Sequence, residues 1–181
     1  MSDVVSKYID QVSQEEIEMV NQLTDLTWPE TKATEKTREE RILDFINRCP
    51  QKTCHFVFNN ERVVGYAESF PREIKTSTTK LTILGLGAVC VYPDAKGKGF
   101  GAQLVRAAFN RVDEDECAVS LFQTAVPGFY HKLNCRTIKN KIVNSTSDQP
   151  NKNPFWDPYI MIYPRQFIGF EGDVDLLGEG Y

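Results

Sequence analysis

The sequence lacks the segments that would place a protein in a membrane or send it through the secretory route. No apolar run in the 181 residues approaches the length needed to cross a bilayer. The N-terminus, MSDVVSKYID, has neither the basic start nor the apolar stretch of a signal peptide. We therefore expect a cytoplasmic protein without membrane partners, and the nucleus remains open as a second location.

Cysteine is present without the spacing of a metal or redox site. The five cysteines are widely separated, and no two of them form a C-x-x-C pair. This pattern predicts reduced thiols in a cytosolic protein and no bound metal.

An excess of positive charge, typical of nucleic-acid-binding proteins, is also missing. The net charge is −4, with 41% hydrophobic and 25% charged residues. These values are ordinary for a soluble globular protein and argue against a nucleic-acid partner. The length and the absence of internal repeats predict a single domain over residues 1–181.

The most informative stretch lies in the middle of the chain. Leu81–Tyr92 is apolar and rich in β-branched residues, which predicts a buried central strand that ends at Pro93. From Gly101 onward, apolar residues recur at helical spacing. Between strand and helix lies the glycine-rich turn Lys96-Gly97-Lys98-Gly99-Phe100-Gly101. Free backbone N–H groups and the positive end of a helix dipole make such a turn suited to a phosphate group.

Two common phosphate-binding motifs are absent from this turn. No Gly-Lys-Ser or Gly-Lys-Thr stands at the spacing of a Walker loop, and there is no G-x-G-x-x-G. The remaining pattern, Lys96-x-x-Gly99-x-Gly101, resembles the acetyl-CoA pyrophosphate loop [Q/R]-x-x-G-x-[G/A] of the GNAT acyltransferase superfamily, with lysine in the first position. A nucleotide-binding α/β protein is a rival interpretation that affinity for ATP or NAD would support.

Two further segments strengthen the resemblance. Phe129-Tyr130-His131-Lys132-Leu133-Asn134 is similar to the F-Y-x-K-L-G segment of GNAT proteins, with asparagine where glycine is common. Asparagine tolerates the same left-handed backbone conformation. Pro158–Pro164 and the acidic tail from Gly172 to Tyr181 resemble, over a short length, the C-terminal end of the aminoglycoside 2′-N-acetyltransferase branch.

The resemblance implies an α/β (α+β) GNAT acyl-CoA N-acyltransferase fold, with a mixed, mostly antiparallel central sheet and helices on both faces. The sequence pattern agrees, since it predicts the following helices and strands: Val4–Ile9, a capped helix from Ser13 to about Trp28, Arg38–Arg48, His55–Phe58, Arg62–Phe70, Ala118–Gln123, Gly128–Asn134, Arg136–Val143 and a final strand Tyr159–Tyr163. Asn59-Asn60 predicts a tight hairpin turn. Pro71–Lys80 is expected to be a polar loop.

The resemblance also implies an activity, the direct transfer of an acetyl group from acetyl-CoA to a primary amine on a small molecule or a peptide. The residues that it assigns to acetyl-CoA binding are Val89, Cys90, Val91, Lys96, Gly97, Lys98, Gly99, Phe100, Gly101, Ala102 and Thr124. The partners are then acetyl-CoA and an amine acceptor. Homodimers are common among relatives, but no exposed apolar stripe in this sequence requires one.

The catalytic residues follow in part from the same resemblance. Tyr130 matches the general acid near the thioester sulfur. Many relatives carry a glutamate base two residues before the first valine of Val-x-Val, and that position is Gly87 here. The base must therefore come from elsewhere. The candidates are Glu68, Asp157 and the C-terminal carboxylate of Tyr181, which would act through water. Glu68 is the base that we assign.

Two alternatives stay open at this stage. Gly87 in place of an acidic residue is compatible with a catalytically weak CoA-binding module that acts as a sensor or an interaction domain. Cys90 lies between the two valines, and we expect a buried thiol there rather than a nucleophile. The sequence does not identify the acceptor.

Overall fold

The computed structural model describes residues 4–29 and 35–181. Its packing divides the chain into two compact units, which are described in turn. The first contains residues 1–70 and 87–108, and the second contains residues 71–86 and 109–181. The boundaries fall inside two strands and one helix, so these three elements contribute residues to both units.

The first unit holds the N-terminal helices and one side of the sheet. Its elements, some of which continue beyond it, are β1 (Val4–Tyr8), α1 (Gln14–Thr27), α2 (Arg38–Asn47), β2 (Thr53–Asn59), β3 (Arg62–Lys75), β4 (Lys80–Val91) and α3 (Phe100–Asp113). The strand order is β1-β2-β3-β4. Strand β2 is antiparallel to both β1 and β3. Asn60 has a φ of 55°, the left-handed conformation expected at the β2–β3 hairpin.

Helices of the first unit cover both faces of its strands. One face packs against α1 and α2 through a cluster that includes Ile17, Val20, Leu23, Ile42, Phe45, Phe56, Tyr66 and Cys90. The other face packs against the start of α3 through Val57, Val64, Ala67, Ala95 and Leu104. Because successive strand residues point to opposite faces, Phe56 and Val57 enter different clusters. The predicted arrangement of a sheet with helices on both faces is confirmed.

The ends of the two N-terminal helices follow from their sequences. The Ser13 hydroxyl accepts a hydrogen bond from the Glu16 N–H at 3.2 Å, and the Glu16 carboxylate accepts from the Ser13 N–H at 3.0 Å. The predicted capping box at the start of α1 is therefore present. Thr37 and Glu40 form the same reciprocal pair at the start of α2.

The second unit contains a parallel pairing of two strands, one of which is the first part of β4. Its remaining elements are β5 (Ser120–Thr124), α4 (Pro127–His131), β6 (Arg136–Thr137), β7 (Ile142–Val143), β8 (Tyr159–Tyr163) and β9 (Val174–Asp175). Strand β5 lies parallel to β4, as predicted, while β8 is antiparallel to both β5 and β6. The core of the unit includes Ile83, Leu121, Ile162 and Val174. Asn134 has a φ of 62°, which asparagine tolerates, and it follows α4.

Three predicted element boundaries were wrong. The expected loop Pro71–Lys80 is shorter, because β3 continues to Lys75, where it pairs with Asp175 of β9, and Ile74 is fully buried. The expected strand Arg136–Val143 is divided into β6 and β7. The Asn140 side chain between them donates to the carbonyls of Phe170 and Gly172, so this segment binds the tail rather than a neighbouring strand.

The third error concerns the C-terminal segment. Strand β8 is not the last, because β9 follows it and pairs with β7 and β3. Val174 and Leu176 are completely buried, which gives the acidic tail two apolar anchors. No helix in the described part of the chain combines the length and the apolar character that a membrane crossing requires.

Candidate functional site

The glycine-rich turn lies on the surface of the first unit, at the start of α3. Gly97 and Gly99 have φ values of 79° and 83°, a backbone conformation that only glycine adopts readily. No atom lies within 4 Å of the position that a Cβ would occupy at either residue. Packing therefore does not explain these two glycines, but the backbone conformation does. Lys96 and Lys98 are exposed beside them.

The first turn of α3 completes an anion-binding arrangement. The earliest helical hydrogen bond runs from the Gln103 N–H to the Gly99 carbonyl at 3.1 Å. The N–H groups of Phe100, Gly101 and Ala102 come before that bond and have no acceptor within the helix. Together with the helix dipole and the two lysines, they suit a diphosphate.

Strand β4 has an irregularity shortly before this turn. Ala88 has a φ of 53°, which is unusual for a residue with a side chain. A Cβ at Gly87 would meet the Glu68 side chain at 3.7 Å, and Ala88 packs against the cluster under α1 and α2. The successive residues Gly87 and Ala88 thus point to the same face of the sheet, as residues at a β-bulge do. Val89 and Val91 pack on the opposite face, while Cys90 returns to the first.

Glu68 lies next to this bulge in a buried hydrogen-bond network. Its two carboxylate oxygens each accept from Arg48 Nη2 at 3.1 Å. Oε2 also accepts from Lys52 Nζ at 3.2 Å and from the Tyr66 hydroxyl at 3.0 Å. The Glu68 side chain is only 8% exposed, and that of Lys52 is 0% exposed. The carboxylate that sequence reasoning selected is therefore held by three donors.

These donors determine the ionisation of Glu68. Burial by itself would raise the pKa of Glu68, but the positive charges of Arg48 and Lys52 outweigh it and hold the pKa below its usual value. Burial lowers the pKa of Lys52, against the influence of Glu68. Glu68 is thus a carboxylate at neutral pH, able to receive a proton but with a weak intrinsic affinity for it.

A cavity of about 600 Å³ opens beside the network within the first unit. Its lining residues come from α1, α2, β3 and β4: Val20, Asn21, Thr24, Asp25, Trp28, Arg41, Asp44, Phe45, Asn47, Arg48, Tyr66 and Ala88. The lining combines three aromatic residues with charged and amide groups. A volume of this size accommodates a small molecule.

Sequence reasoning did not select Arg48 or Lys52. Arg48 follows the last residue of α2, where a cation interacts favourably with the helix dipole. Lys52 is completely buried just before β2, where its ammonium donates to the Phe45 carbonyl at 2.8 Å and lies 3.5 Å from the centre of the Phe45 ring. A lysine just before a strand is usually solvated, so this burial could not be predicted from the sequence.

Cys90 is buried as expected, with 4% of its surface exposed. Burial raises the pKa of its thiol to about 12. The thiolate that a nucleophilic mechanism needs is therefore scarce at neutral pH. All five cysteines are free thiols.

The second unit holds the other assigned residues. Tyr130 lies on α4 with 6% of its surface exposed, between the rings of Phe122 and Phe129. Burial raises the pKa of its phenol well above the usual value, with smaller contributions from Cys135 and Asp157. The described residues contain no hydrogen-bond partner for its hydroxyl. The Thr124 hydroxyl accepts from the Val126 N–H at 3.0 Å, and this bond forms the turn into α4.

The two other candidate bases also belong to the second unit. Burial raises the pKa of Asp157, and its N–H donates to the Gln123 side chain at 2.7 Å. The Tyr181 hydroxyl donates to the Leu121 carbonyl at 2.7 Å, and its main-chain oxygen accepts from Gln123 Nε2 at 2.6 Å. Asp157 is thus a carboxylate with a raised pKa, whereas the Tyr181 main-chain oxygen is used in holding the tail.

Within residues 4–29 and 35–181, no three His, Cys, Asp or Glu side chains cluster as the ligands of a metal ion would.

Comparison with known proteins gives a family match over most of the chain. The model of the acetyltransferase (GNAT) domain family matches residues 8–138, which include the glycine-rich turn and the segment around Tyr130. No curated protein matches the sequence.

Several solved structures share the fold. A GCN5-related N-acetyltransferase from Kribbella flavida superposes with a TM-score of 0.61 at 17% identity, over 75% of this chain and 33% of its own. An aminoglycoside 6′-N-acetyltransferase complexed with coenzyme A gives 0.58 at 16% identity, over 87% and 95% of the two chains. A GNAT family acetyltransferase from Brucella melitensis in complex with acetyl-CoA gives 0.54 at 14% identity, over 75% and 84%.

At these identities the likeness extends to the fold and no further. This chain spans about a third of the length of the Kribbella flavida protein.

Proposed function

Because this chain belongs to the GNAT acetyltransferase family, we propose that it transfers an acetyl group from acetyl-CoA to a primary amine on a small molecule or a peptide. The observation that carries the proposal is the turn before α3. Its two glycines have positive φ, leave open space beside them and precede a helix N-terminus flanked by lysines. The similar solved structures in complex with coenzyme A or acetyl-CoA support the choice of cosubstrate.

The residues that we assign to acetyl-CoA have distinct tasks. The N–H groups from Gly97 to Ala102 bind the diphosphate, and Lys96 and Lys98 add positive charge. The backbone at Val89–Val91, beside the bulge at Ala88, binds the pantetheine arm and polarises the thioester carbonyl. Cys90 contributes main-chain groups only, since its thiol is buried and protonated. Thr124 is assigned to the same cosubstrate through the family resemblance.

The reaction that we propose has no covalent enzyme intermediate. The acceptor ammonium gives a proton to Glu68, directly or through water, and the free amine attacks the thioester carbon. A carbon–nitrogen bond forms, the carbon–sulfur bond breaks, and Tyr130 donates its phenolic proton to the departing thiolate. The nitrogen then loses its second proton to water or to the Tyr130 phenolate, which leaves a neutral amide and free CoA. The raised pKa of Tyr130 keeps the phenol protonated until that step.

Glu68 is the preferred base because its side chain faces Gly87, the position of the glutamate in many relatives. A carboxylate from β3 thus occupies the space next to a position on β4 that lacks one. Asp157 is the alternative base, favoured by its raised pKa.

A second candidate function is a CoA-binding module without significant catalysis. The low pKa of Glu68 and its three donors favour it, because a fully paired carboxylate also fits a purely structural role.

A thermal-shift titration with acetyl-CoA, ATP and NAD tests the binding step. Acetyl-CoA at a hundred times its dissociation constant should stabilise the protein by about 2.7 kcal/mol, while ATP and NAD should have no comparable effect. A panel of amines, with release of free CoA as the readout, then separates an enzyme from a binding module. Stabilisation by ATP or NAD alone would contradict the proposal.

A cytoplasmic location remains part of the proposal. The five free thiols are what a reducing compartment predicts.

A further inference from the structure

Among the described residues, the cavity between α1, α2 and the adjoining strands of the first unit carries one cation that is incompletely neutralised. Arg48 is 61% exposed, whereas its partner Glu68 is 8% exposed. The guanidinium therefore stands between a buried carboxylate and the open cavity. We propose that the acceptor carries an oxyanion, a carboxylate or a phosphate, in addition to its amine, and that Arg48 binds this group. The inference rests on the proposed function of the same site.

The hydrogen bonds of Arg48 leave most of its donors available. Only Nη2 donates to Glu68, in two bonds of 3.1 Å. Within the described residues, Nε and Nη1 have no acceptor. A guanidinium binds an oxyanion best through two parallel N–H groups, and Nε and Nη1 retain donors for that purpose.

The charge balance of the network also favours an anionic ligand. Glu68 supplies one negative charge to two cations, since it accepts hydrogen bonds from both Arg48 and Lys52. The group of three therefore carries a net positive charge when all are ionised. The interaction with Glu68 outweighs burial and raises the pKa of Arg48, so the guanidinium remains charged at any working pH.

The other ionic groups that the described part of the chain contributes to the cavity neutralise one another. Arg41 donates two hydrogen bonds to Asp25, of 2.9 and 2.8 Å, which occupy both carboxylate oxygens. Asp44 forms an ion pair with Lys36. Within the described residues, the excess positive charge of the cavity is thus located at Arg48. This charge repels a simple polyamine and attracts an amine that also carries an oxyanionic group.

The experiment compares matched acceptors with the full-length protein and acetyl-CoA. Three pairs differ in the anionic group: β-alanine and β-alaninamide, L-lysine and cadaverine, phosphoethanolamine and ethanolamine. We expect kcat/KM for CoA release to be roughly tenfold to a hundredfold higher for the anionic member of at least one pair, because hydrogen bonds between charged groups are the stronger kind. The pair that shows the preference distinguishes carboxylate from phosphate.

Two variants assign the preference to Arg48. Arg48→Gln should remove it mainly by raising KM for the anionic acceptor. Arg48→Lys keeps the positive charge but lacks the paired N–H groups of the guanidinium, so it should reduce the preference for the anionic acceptor. It also provides a second variant if Arg48→Gln is unstable. Arg38→Gln is the matched control, since Arg38 begins the helix that Arg48 follows, pairs with Glu18 and does not line the cavity.

Two results would overturn the inference while leaving the acetyltransferase proposal intact. One is equal kcat/KM for both members of every pair. The other is a loss in Arg48→Gln that lowers kcat equally for both members, as expected if Arg48 only positions Glu68. Calorimetric titration of the same compounds into the CoA-bound protein adds a readout without turnover. Binding that depends on Arg48 but gives no CoA release would support the inference and contradict the proposed activity.

Discussion

A carboxylate can be supplied to the same place in a sheet by different strands. Gly87 lacks the glutamate that many relatives carry, yet a Cβ at Gly87 would lie 3.7 Å from Glu68 on the adjacent strand β3. A carboxylate that comes from β3 has different ionic surroundings, because Glu68 binds Arg48, Lys52 and Tyr66 at once. The role as base that we propose for Glu68 therefore depends on how readily these partners release its carboxylate.

Glu68→Gln should be strongly destabilising. Arg48 can turn towards water, but Lys52 is fully buried and would lose its counter-charge. Removing one partner of a buried ion pair costs about 3 kcal/mol or more. Urea unfolding at neutral pH should show a loss of this size, and Glu61→Gln, an exposed position at the β2–β3 hairpin, is the control. A loss no larger than that of the control would contradict the buried pairing.

The stability difference between the wild type and Glu68→Gln should also depend on pH. The pKa of Glu68 is lower in the folded state, so its contribution to the free energy of unfolding is complete above the unfolded pKa and is lost as the pH falls through the folded pKa. The stability difference between wild type and Glu68→Gln should thus shrink below about pH 4. A difference that stays constant from neutral pH into this range would show that ionisation of Glu68 is not its cause.

Tyr130→Phe tests the general acid. Removing a positioned proton donor should lower kcat by about a hundredfold, with little change in acetyl-CoA binding. Tyr159→Phe is the matched control, since that tyrosine is 42% exposed. Steady-state kinetics with the best acceptor measure the effect, and a kcat within about threefold of wild type would assign the proton to another donor.

At the scale of elements, the cosubstrate binding that we propose for the turn into α3 depends on backbone conformation. Its glycines are open to solvent, so a larger side chain would meet no protein atom, yet the positive φ would remain unfavourable for it. The turn and the bulge at Ala88 both fall near the C-terminal end of β4, where the backbone leaves regular pairing.

Gly99→Ala should weaken acetyl-CoA binding by about tenfold, since the left-handed conformation costs an alanine about 1–2 kcal/mol. The comparison is Gly128→Ala, where a Cβ also meets no atom and φ is not positive. Calorimetric titration of both variants gives the dissociation constants. Equal affinities would mean that the conformation of this turn does not determine cosubstrate binding.

At the scale of the whole molecule, the open question is whether the two compact units are one folding domain. Strands β3 and β4 and helix α3 each contribute residues to both units. If one unit unfolded, each of these elements would lose part of its length, and the part in the other unit would lose support. We therefore propose that residues 1–181 unfold cooperatively as a single domain.

The two tryptophans make this proposal testable. Trp28 belongs to the first unit and Trp156 to the second. Trp156→Phe leaves fluorescence from the first unit alone, and Trp28→Phe leaves it from the second. Within each variant, the fluorescence midpoint in urea should coincide with the midpoint from far-ultraviolet circular dichroism. Separate midpoints would indicate two domains.

Local chemistry in the sequence determined much of this protein. The strand, glycine turn and helix of residues 81–113 were predicted because periodicity, proline and glycine act over a few residues. The capping box at Ser13 and the left-handed Asn60 and Asn134 are local in the same sense. The family resemblance depended on those same motifs.

Tertiary structure decided what depends on residues distant in sequence. The continuation of β3 to Lys75 and the extra strand β9 arise from pairing between segments a hundred residues apart, which no local pattern encodes. Likewise, the sequence pointed to Glu68 as a candidate base but offered nothing that distinguished Arg48 and Lys52 from ordinary charged residues. Only folding brings the three side chains within hydrogen-bond distance and removes Glu68 and Lys52 from water. That loss of solvation and the nearby charges together shift the pKa values of the group and set the chemistry of the cavity.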